Sequence, residues 1–179
     1  MKIKVKLFND ICKPAEFNVG DWIDLKVSKN VEVLAPNAGT LKYTFTDSDG
    51  NKIGRREVDF YYYMLPLGVA MKLPKGYEAI IAPRSSTFKK WGLLEANSIG
   101  VVDNSYCGDN DQWMFPVVAL KDTEIPEGER ICQFRIQLSQ KATMWQKIKW
   151  LFSSKIEFEF VDNLNEEDRG GFGSTNVNN

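Results

Sequence analysis

A chain of 179 residues is long enough for one domain with a sizeable core and a few excursions. Its 23 Lys and Arg against 24 Asp and Glu leave a formal net charge of −1, which argues against a nucleic-acid coat but leaves room for a local basic pocket. It has no histidine, so a general base working near neutral pH must be a carboxylate, a lysine or a metal-bound water.

The chain begins MKIKVKLFND, where Ile3, Val5 and Leu7 alternate with Lys2, Lys4 and Lys6. That period of two predicts a first strand rather than a secretory leader, and no stretch is long enough to span a bilayer. Short apolar runs rich in β-branched and aromatic residues follow at 22–27, 31–34, 41–46, 69–73, 77–82, 99–102, 115–120, 131–138 and 156–161. Asp49-Gly50-Asn51 predicts a hairpin tip, and Pro74-Lys75-Gly76 and Pro126-Glu127-Gly128 predict tight turns. Many short strands at this spacing favour a sandwich or closed barrel over a layered α/β fold.

Two short helices are expected. Residues 86–91 form one, ended by Gly92. Residues 143–153 form the other, with Met144, Ile148, Leu151 and Phe152 on one face and Trp145 and Trp150 flanking it. Packing of that face on the domain is the favoured reading; a partner-binding or membrane-surface helix is the alternative. Residues 162–168, DNLNEED, read as an acidic linker, and the glycine- and asparagine-rich tail beyond is expected to be mobile without a ligand. Cys12, Cys107 and Cys132 lack CxxC spacing and histidine partners, which fits reduced thiols in a cytoplasmic protein better than a zinc site.

Chemistry concentrates in three places. Arg84-Ser85-Ser86 follows an apolar strand and suits an oxyanion, although a capped surface turn has the same composition. The run Gly100-Val101-Val102-Asp103 ends an apolar strand in a carboxylate, with Asn97 upstream and Tyr106 downstream. Asp103 there could equally cap the turn, and Asn97 can present both a donor and an acceptor to one edge of a pyrimidine. In the tail, Arg169 offers a fork for phosphate oxygens, while Phe172 among glycines suits a strap closing on a flat ring or a loose tail.

Taken together, PRSS (83–86), NSIGVVDNSYCG (97–108), GERICQ (128–133) and RGGFGST (169–175) resemble the second to fifth motifs of the homotrimeric dUTPases. Gly20-Asp21-Trp22-Ile23-Asp24-Leu25 resembles the first motif, and MLPLGVAMKLPKGYEAII resembles the run into the second. The resemblance implies an all-β, jelly-roll-like β-barrel of residues 1–161, with an inserted hairpin at about 37–61, an inserted helix at about 143–153, and a linker and strap at 162–179. It implies hydrolysis of dUTP to dUMP and pyrophosphate with Mg²⁺ on the triphosphate. Asp103 resembles the carboxylate that takes a proton from the attacking water. Asn97 resembles the uracil reader, helped by the backbone near Val101 and Val102, and Tyr106 and Met114 resemble the sugar wall. Arg84, Ser85, Ser86 and Gln133 resemble phosphate contacts, and Asp24 the carboxylate that orients the metal's water shell. Arg169, Phe172, Gly173, Ser174 and Thr175 resemble the closing strap, which in this family usually crosses to a neighbouring subunit. The sequence departs from the family pattern at Cys107, at Asn176 and at Asp109-Asn110-Asp111, which looks like a three-residue insertion.

Two other functions compete. The dCTP deaminases share the fold and an arginine-serine-serine segment, but need a glutamate that the run 115–120 lacks. Alternatively, the 143–153 helix could make the chain a nucleotide-gated binder of another protein.

Overall fold

The structure, a computed structural model, describes residues 1–14, 21–36, 41–56, 61–152 and 155–171. The first strand forms where the alternation places it, β1 (Lys2–Leu7), with Ile3 and Val5 buried and the lysines outside. Nine later strands join β1 in three sheets. They are β2 (Ile23–Lys26), β6 (Tyr63–Pro66), β7 (Val69–Lys72), β8 (Tyr77–Pro83), β9 (Leu93–Glu95), β10 (Gly100–Asp103), β11 (Met114–Ala119), β13 (Arg130–Leu138) and β14 (Glu157–Phe160). The remaining pairs are β3 (Val31–Val33) with β12 (Thr123–Ile125), and the hairpin β4 (Leu41–Thr46) with β5 (Lys52–Arg56).

One sheet runs β10-β8-β13-β2, a second β14-β1-β7 and a third β6-β11-β9. Within these three sheets the pairings are antiparallel except β1 with β14. The result is the expected all-β, jelly-roll-like architecture, built as separate sheets around one core. Trp113, Phe115 and Phe134 are fully buried at its centre, and the Trp113 and Phe134 rings meet edge-on at 5.3 Å between centroids. Truncating Phe134 to alanine there should cost about 3–5 kcal/mol.

The hairpin tip forms as predicted. Asp47 accepts from the N–H groups of Asp49 and Asn51, which fixes the turn around Gly50. Helix α1 (Thr87–Trp91) ends at Gly92, whose φ of 68° is the left-handed stop that glycine accepts without strain. The strand expected at 99–102 lies one residue later, leaving Ile99 exposed and placing Asp103 inside the ladder.

Helix α2 (Met144–Phe152) forms, but it packs on the opposite face from the one its pattern predicts. Gln146 donates to the Lys75 carbonyl, and Trp150, one turn on, packs on Tyr77 at 5.6 Å. Met144, Trp145, Leu151 and Phe152 all face outward. One large ring against another outweighs the wider stripe of smaller apolar groups.

The segment 162–171 is also not the free linker that its composition predicts. Leu164 is buried, and the backbone beyond it is hydrogen-bonded to the loop before β11. Among the described residues no helix is long and apolar enough to cross a membrane. Cys12, Cys107 and Cys132 are buried free thiols.

Candidate active site

Strand β10 is the edge of its sheet, so alternate backbone groups along its outer side are not used by the ladder with β8. A cavity of about 260 Å³ opens beside it. Its walls include Asn97, Val101, Val102, Asp103, Tyr106 and Met114, which are all candidates from the sequence. The tail contributes Arg169, Gly170 and Gly171. Sequence reasoning missed Ile81, Trp113 and Pro116, apolar wall residues whose core-like character gives no functional signal. The volume lies below the roughly 300–1,000 Å³ of drug-sized pockets, so it suits a nucleoside better than a whole nucleoside triphosphate.

Asp103 sits at the mouth of this cavity. Its carboxylate accepts from the Ser105 N–H at 2.8 Å and from the Ser105 hydroxyl, and it pairs with the Arg169 guanidinium. Burial pushes the Asp103 carboxyl up, but the two Ser105 hydrogen bonds and Arg169 together outweigh it and hold the group below its ordinary value. Asp103 is therefore ionised at neutral pH and ready to accept a hydrogen bond. Tyr106 donates its hydroxyl to the Gln112 carbonyl at 3.0 Å, which fixes the ring in the wall.

Arg84, Ser85, Ser86, Asp24 and Gln133 gather elsewhere. Asp24 forms an ion pair with Arg84, whose Nε lies 2.8 Å from one carboxylate oxygen, and accepts a hydrogen bond from Arg130 at 3.1 Å. Gln133 faces Asp24 across one ladder and Ala82 across the other. Ser85 and Ser86 are exposed, and Ser86 makes no side-chain capping bond, so both hydroxyls are presented outward. This cluster and Asp103 lie at opposite ends of β8, because Asp103 pairs with Glu78 and Arg84 follows Pro83. Six residues of extended chain separate them by about 20 Å. One subunit therefore does not bring the two groups together. Phe172, Gly173, Ser174 and Thr175 lie outside the described residues.

Asp24 is the candidate metal contact, and its donor set tests the idea. Two guanidinium groups already occupy the carboxylate, and among the described residues no three Cys, Asp or Glu side chains gather. That fits an ion carried on phosphate oxygens and met by Asp24 through water, and does not fit a cage of protein ligands.

The dUTPase family model matches residues 57–176, which covers the cavity, Arg84, Ser85, Ser86 and Gln133, and the tail as far as Asn176, but not Asp24. The chain belongs to the dUTPase family. It is 39% identical over 176 residues to a prophage-derived deoxyuridine 5′-triphosphate nucleotidohydrolase of Bacillus subtilis, covering 98% of each chain. It is 36% identical over 116 residues to the deoxyuridine 5′-triphosphate nucleotidohydrolase of Finegoldia magna, covering 63% of this chain and 69% of that one. Among solved structures, the dUTPase of Streptococcus mutans superposes with a TM-score of 0.58 at 20% identity, covering 78% of this chain and 98% of that one. A mutant dUTPase from phage phi11 of S. aureus, described with a structural Mg(II) ion, gives 0.56 at 14% identity, covering 79% of this chain and 94% of that one. At these identities, the structures speak to fold alone.

Proposed function

We propose that this chain is a dUTP diphosphatase that works as a homotrimer in the cytoplasm, converting dUTP to dUMP and pyrophosphate. The observation that carries the mechanism is an ionised carboxylate, Asp103, at the mouth of a nucleoside-sized cavity on a sheet edge. The reaction removes dUTP from the nucleotide pool and supplies dUMP for thymidylate synthesis.

The base enters along β10. Asn97 and the free edge of the strand near Val101 and Val102 match the donor and acceptor pattern of uracil. A 5-methyl group meets the apolar wall, which disfavours thymine. Tyr106 and Met114 flank the sugar, leaving no room for a 2′-hydroxyl. Asp103 accepts a hydrogen bond from water and takes its proton as the water oxygen bonds to the α-phosphorus. The bond from that phosphorus to the oxygen bridging the β-phosphorus breaks, and pyrophosphate carries the electron pair away.

Arg84, Ser85, Ser86 and Gln133 bind the phosphate chain and stabilise its developing charge. Because they lie about 20 Å from Asp103 along β8, the phosphate cluster serving one Asp103 comes from a neighbouring subunit. That requirement supports the trimer. Mg²⁺, when bound, neutralises charge on the triphosphate, and Asp24 orients its water shell. Arg169, Phe172, Gly173, Ser174 and Thr175 form the strap that grips the phosphates, covers the base and excludes water.

The test is pyrophosphate release from dUTP, dCTP, dTTP and UTP, with and without Mg²⁺. Release from dUTP alone, fastest with Mg²⁺, is expected. Ammonia from dCTP without pyrophosphate would point to the deaminase reaction instead. Among the described residues, the cavity wall has no glutamate for that chemistry.

A further inference from the structure

Helix α2 is capped and anchored. Thr143 and Gln146 close a capping box at its start: the Thr143 N–H donates to the Gln146 side-chain oxygen at 2.6 Å, and the Gln146 N–H reaches back to the Thr143 hydroxyl at 3.4 Å. The Gln146 amide donates to the Lys75 carbonyl at 2.6 Å, and Trp150 lies on Tyr77. At Gly76 a Cβ would overlap the Gln146 side chain, so the turn under the helix is shaped to receive it. These contacts fix the rotation of the helix. Each residue turns it by about 100°, so Ile148 points directly away from the side marked by Gln146 and Trp150. Met144, Trp145, Leu151 and Phe152 cluster about Ile148 and are 70%, 80%, 81% and 86% exposed. Lys147 and Lys149, both exposed, stand about 100° to either side of Ile148, one on each border of the apolar row.

The chain around this helix is one-sided in charge. Residues 130–156 include Arg130, Arg135, Lys141, Lys147, Lys149 and Lys155 and contain no aspartate or glutamate, although the whole chain has a formal net charge of −1. A complementary surface is therefore apolar where it meets the row and negative at its borders. Only the outer side of α2 is open to it, because Gln146 and Trp150 hold the inner side on the domain. A protein groove that takes a helix encloses more of its circumference, including the flanks where the lysines stand. A convex row of Trp, Phe, Leu and Met between two lysine borders instead suits a flat boundary, apolar beneath and anionic at its surface.

We propose that α2 is an interfacial helix that docks this protein on an anionic lipid bilayer. Trp145, Leu151 and Phe152 enter the boundary between headgroups and acyl chains, and Lys147 and Lys149 extend to the level of the phosphates. The negatively charged cytoplasmic leaflet is such a surface. Docking is peripheral and reversible, since nine helical residues lying in the plane do not insert permanently. The inference does not rest on the diphosphatase reading, because none of these side chains lines the cavity.

The test is cosedimentation of the full chain with vesicles of equal parts phosphatidylglycerol and phosphatidylcholine, and with vesicles of phosphatidylcholine alone. The chain should bind the anionic vesicles at low salt, bind the neutral ones about 10-fold more weakly or less, and come off as salt rises. Leu151→Ser combined with Phe152→Ser should weaken binding to the anionic vesicles about 10- to 100-fold through lost apolar burial. Lys147→Gln combined with Lys149→Gln keeps the apolar row and should weaken binding about 10-fold, with a shallower salt dependence. Trp145 emission should shift to the blue on the anionic vesicles, and Trp145→Phe should remove most of that shift; a shift that survives in full would overturn the orientation.

Without lipid, both double variants should sediment as the unsubstituted chain does. A smaller assembly for the Leu151→Ser, Phe152→Ser chain would assign the face to a second copy of this protein and overturn the proposal. Failure of the unsubstituted chain to bind anionic vesicles overturns it too and leaves the face to an acidic protein. Equal binding by the substituted and unsubstituted chains would move any lipid contact away from α2, with the same consequence. A chain that binds the vesicles as expected but releases no pyrophosphate from dUTP would refute the diphosphatase reading alone.

Discussion

The two ends of β8 carry opposite kinds of chemistry. At the Glu78 end, an edge strand, an apolar cavity and one ionised carboxylate meet, the features proposed to hold a nucleoside and accept a proton. At the Pro83 end, Arg84 and Arg130 converge on Asp24 beside two outward serines, an arrangement of positive charge and hydroxyls suited to phosphate. Each end has half of what hydrolysis of a nucleoside triphosphate needs. The strand keeps them about 20 Å apart, too far for one α-phosphorus to touch both. On the proposed mechanism assembly is therefore part of the site, and the two ends of β8 can be tested separately.

The largest effect is expected from Asp103→Asn. The amide keeps the shape and the Ser105 contact but cannot take a proton, so kcat should fall about 10²- to 10⁴-fold while dUTP still binds. Turnover within about threefold of the unsubstituted rate would remove Asp103 from its role. Because Ser105 and Arg169 hold the carboxyl below its ordinary value despite burial, protonation of this group should not limit the rate anywhere near neutral pH. The acid limb attributable to Asp103 should lie below pH 3.8, the ordinary value for the group.

Arg84→Ala comes next. It removes the proposed cationic phosphate contact and leaves Asp24 paired with Arg130 alone, so kcat/KM should fall about 10²-fold. The more informative measurement is a mixture of Arg84→Ala chains with Asp103→Asn chains. If the two ends of β8 serve different sites, some mixed trimers contain a site with Asp103 and Arg84 both intact, and activity rises above either parent. A mixture as inactive as its parents would mean that both ends act within one subunit, against the strand geometry.

Much of this was legible in the sequence, and the misses have physical causes. The alternation in β1 and the apolar runs of β8 and β13 announced the main sheets, because period-two burial is a local property. Strands β9 and β12, three residues each, are too short to show a period, and β6 ends in a proline that reads as a breaker. The chemical residues were visible as motifs, but their partition between two ends of one strand was not, since ladder register is set by pairing across the chain. Asp24 showed as a carboxylate; its capture by two arginines depends on neighbours 60 and 106 residues away. Asp111 looked like part of a polar insertion. Its burial comes from backbone N–H groups near residue 169, which leave no trace in composition.

The smallest expected effect concerns a second contrast, between a paired carboxylate and an unpaired one. Asp24 is paired twice, whereas neither carboxylate oxygen of Glu95, beside Gly100 where β10 faces Ile81, completes a well-formed hydrogen bond among the described residues. Burial pushes Glu95 up from 4.5 to about 7, opposed only in part by the nearby Gly100 N–H. The native state then binds this proton more tightly than the unfolded chain does. Glu95 should therefore withdraw stability as pH rises from about 4.5 to about 7, the reverse of a paired carboxylate. The loss across that window should be about 1–3 kcal/mol. Glu95→Gln should flatten the dependence, giving a higher denaturation midpoint than the unsubstituted chain at about pH 8 and little advantage at about pH 4.5, with dUTP turnover nearly unchanged. Parallel pH dependences in the two proteins would show that Glu95 finds a partner in the assembled enzyme, and that its carboxylate is held paired as Asp24's is.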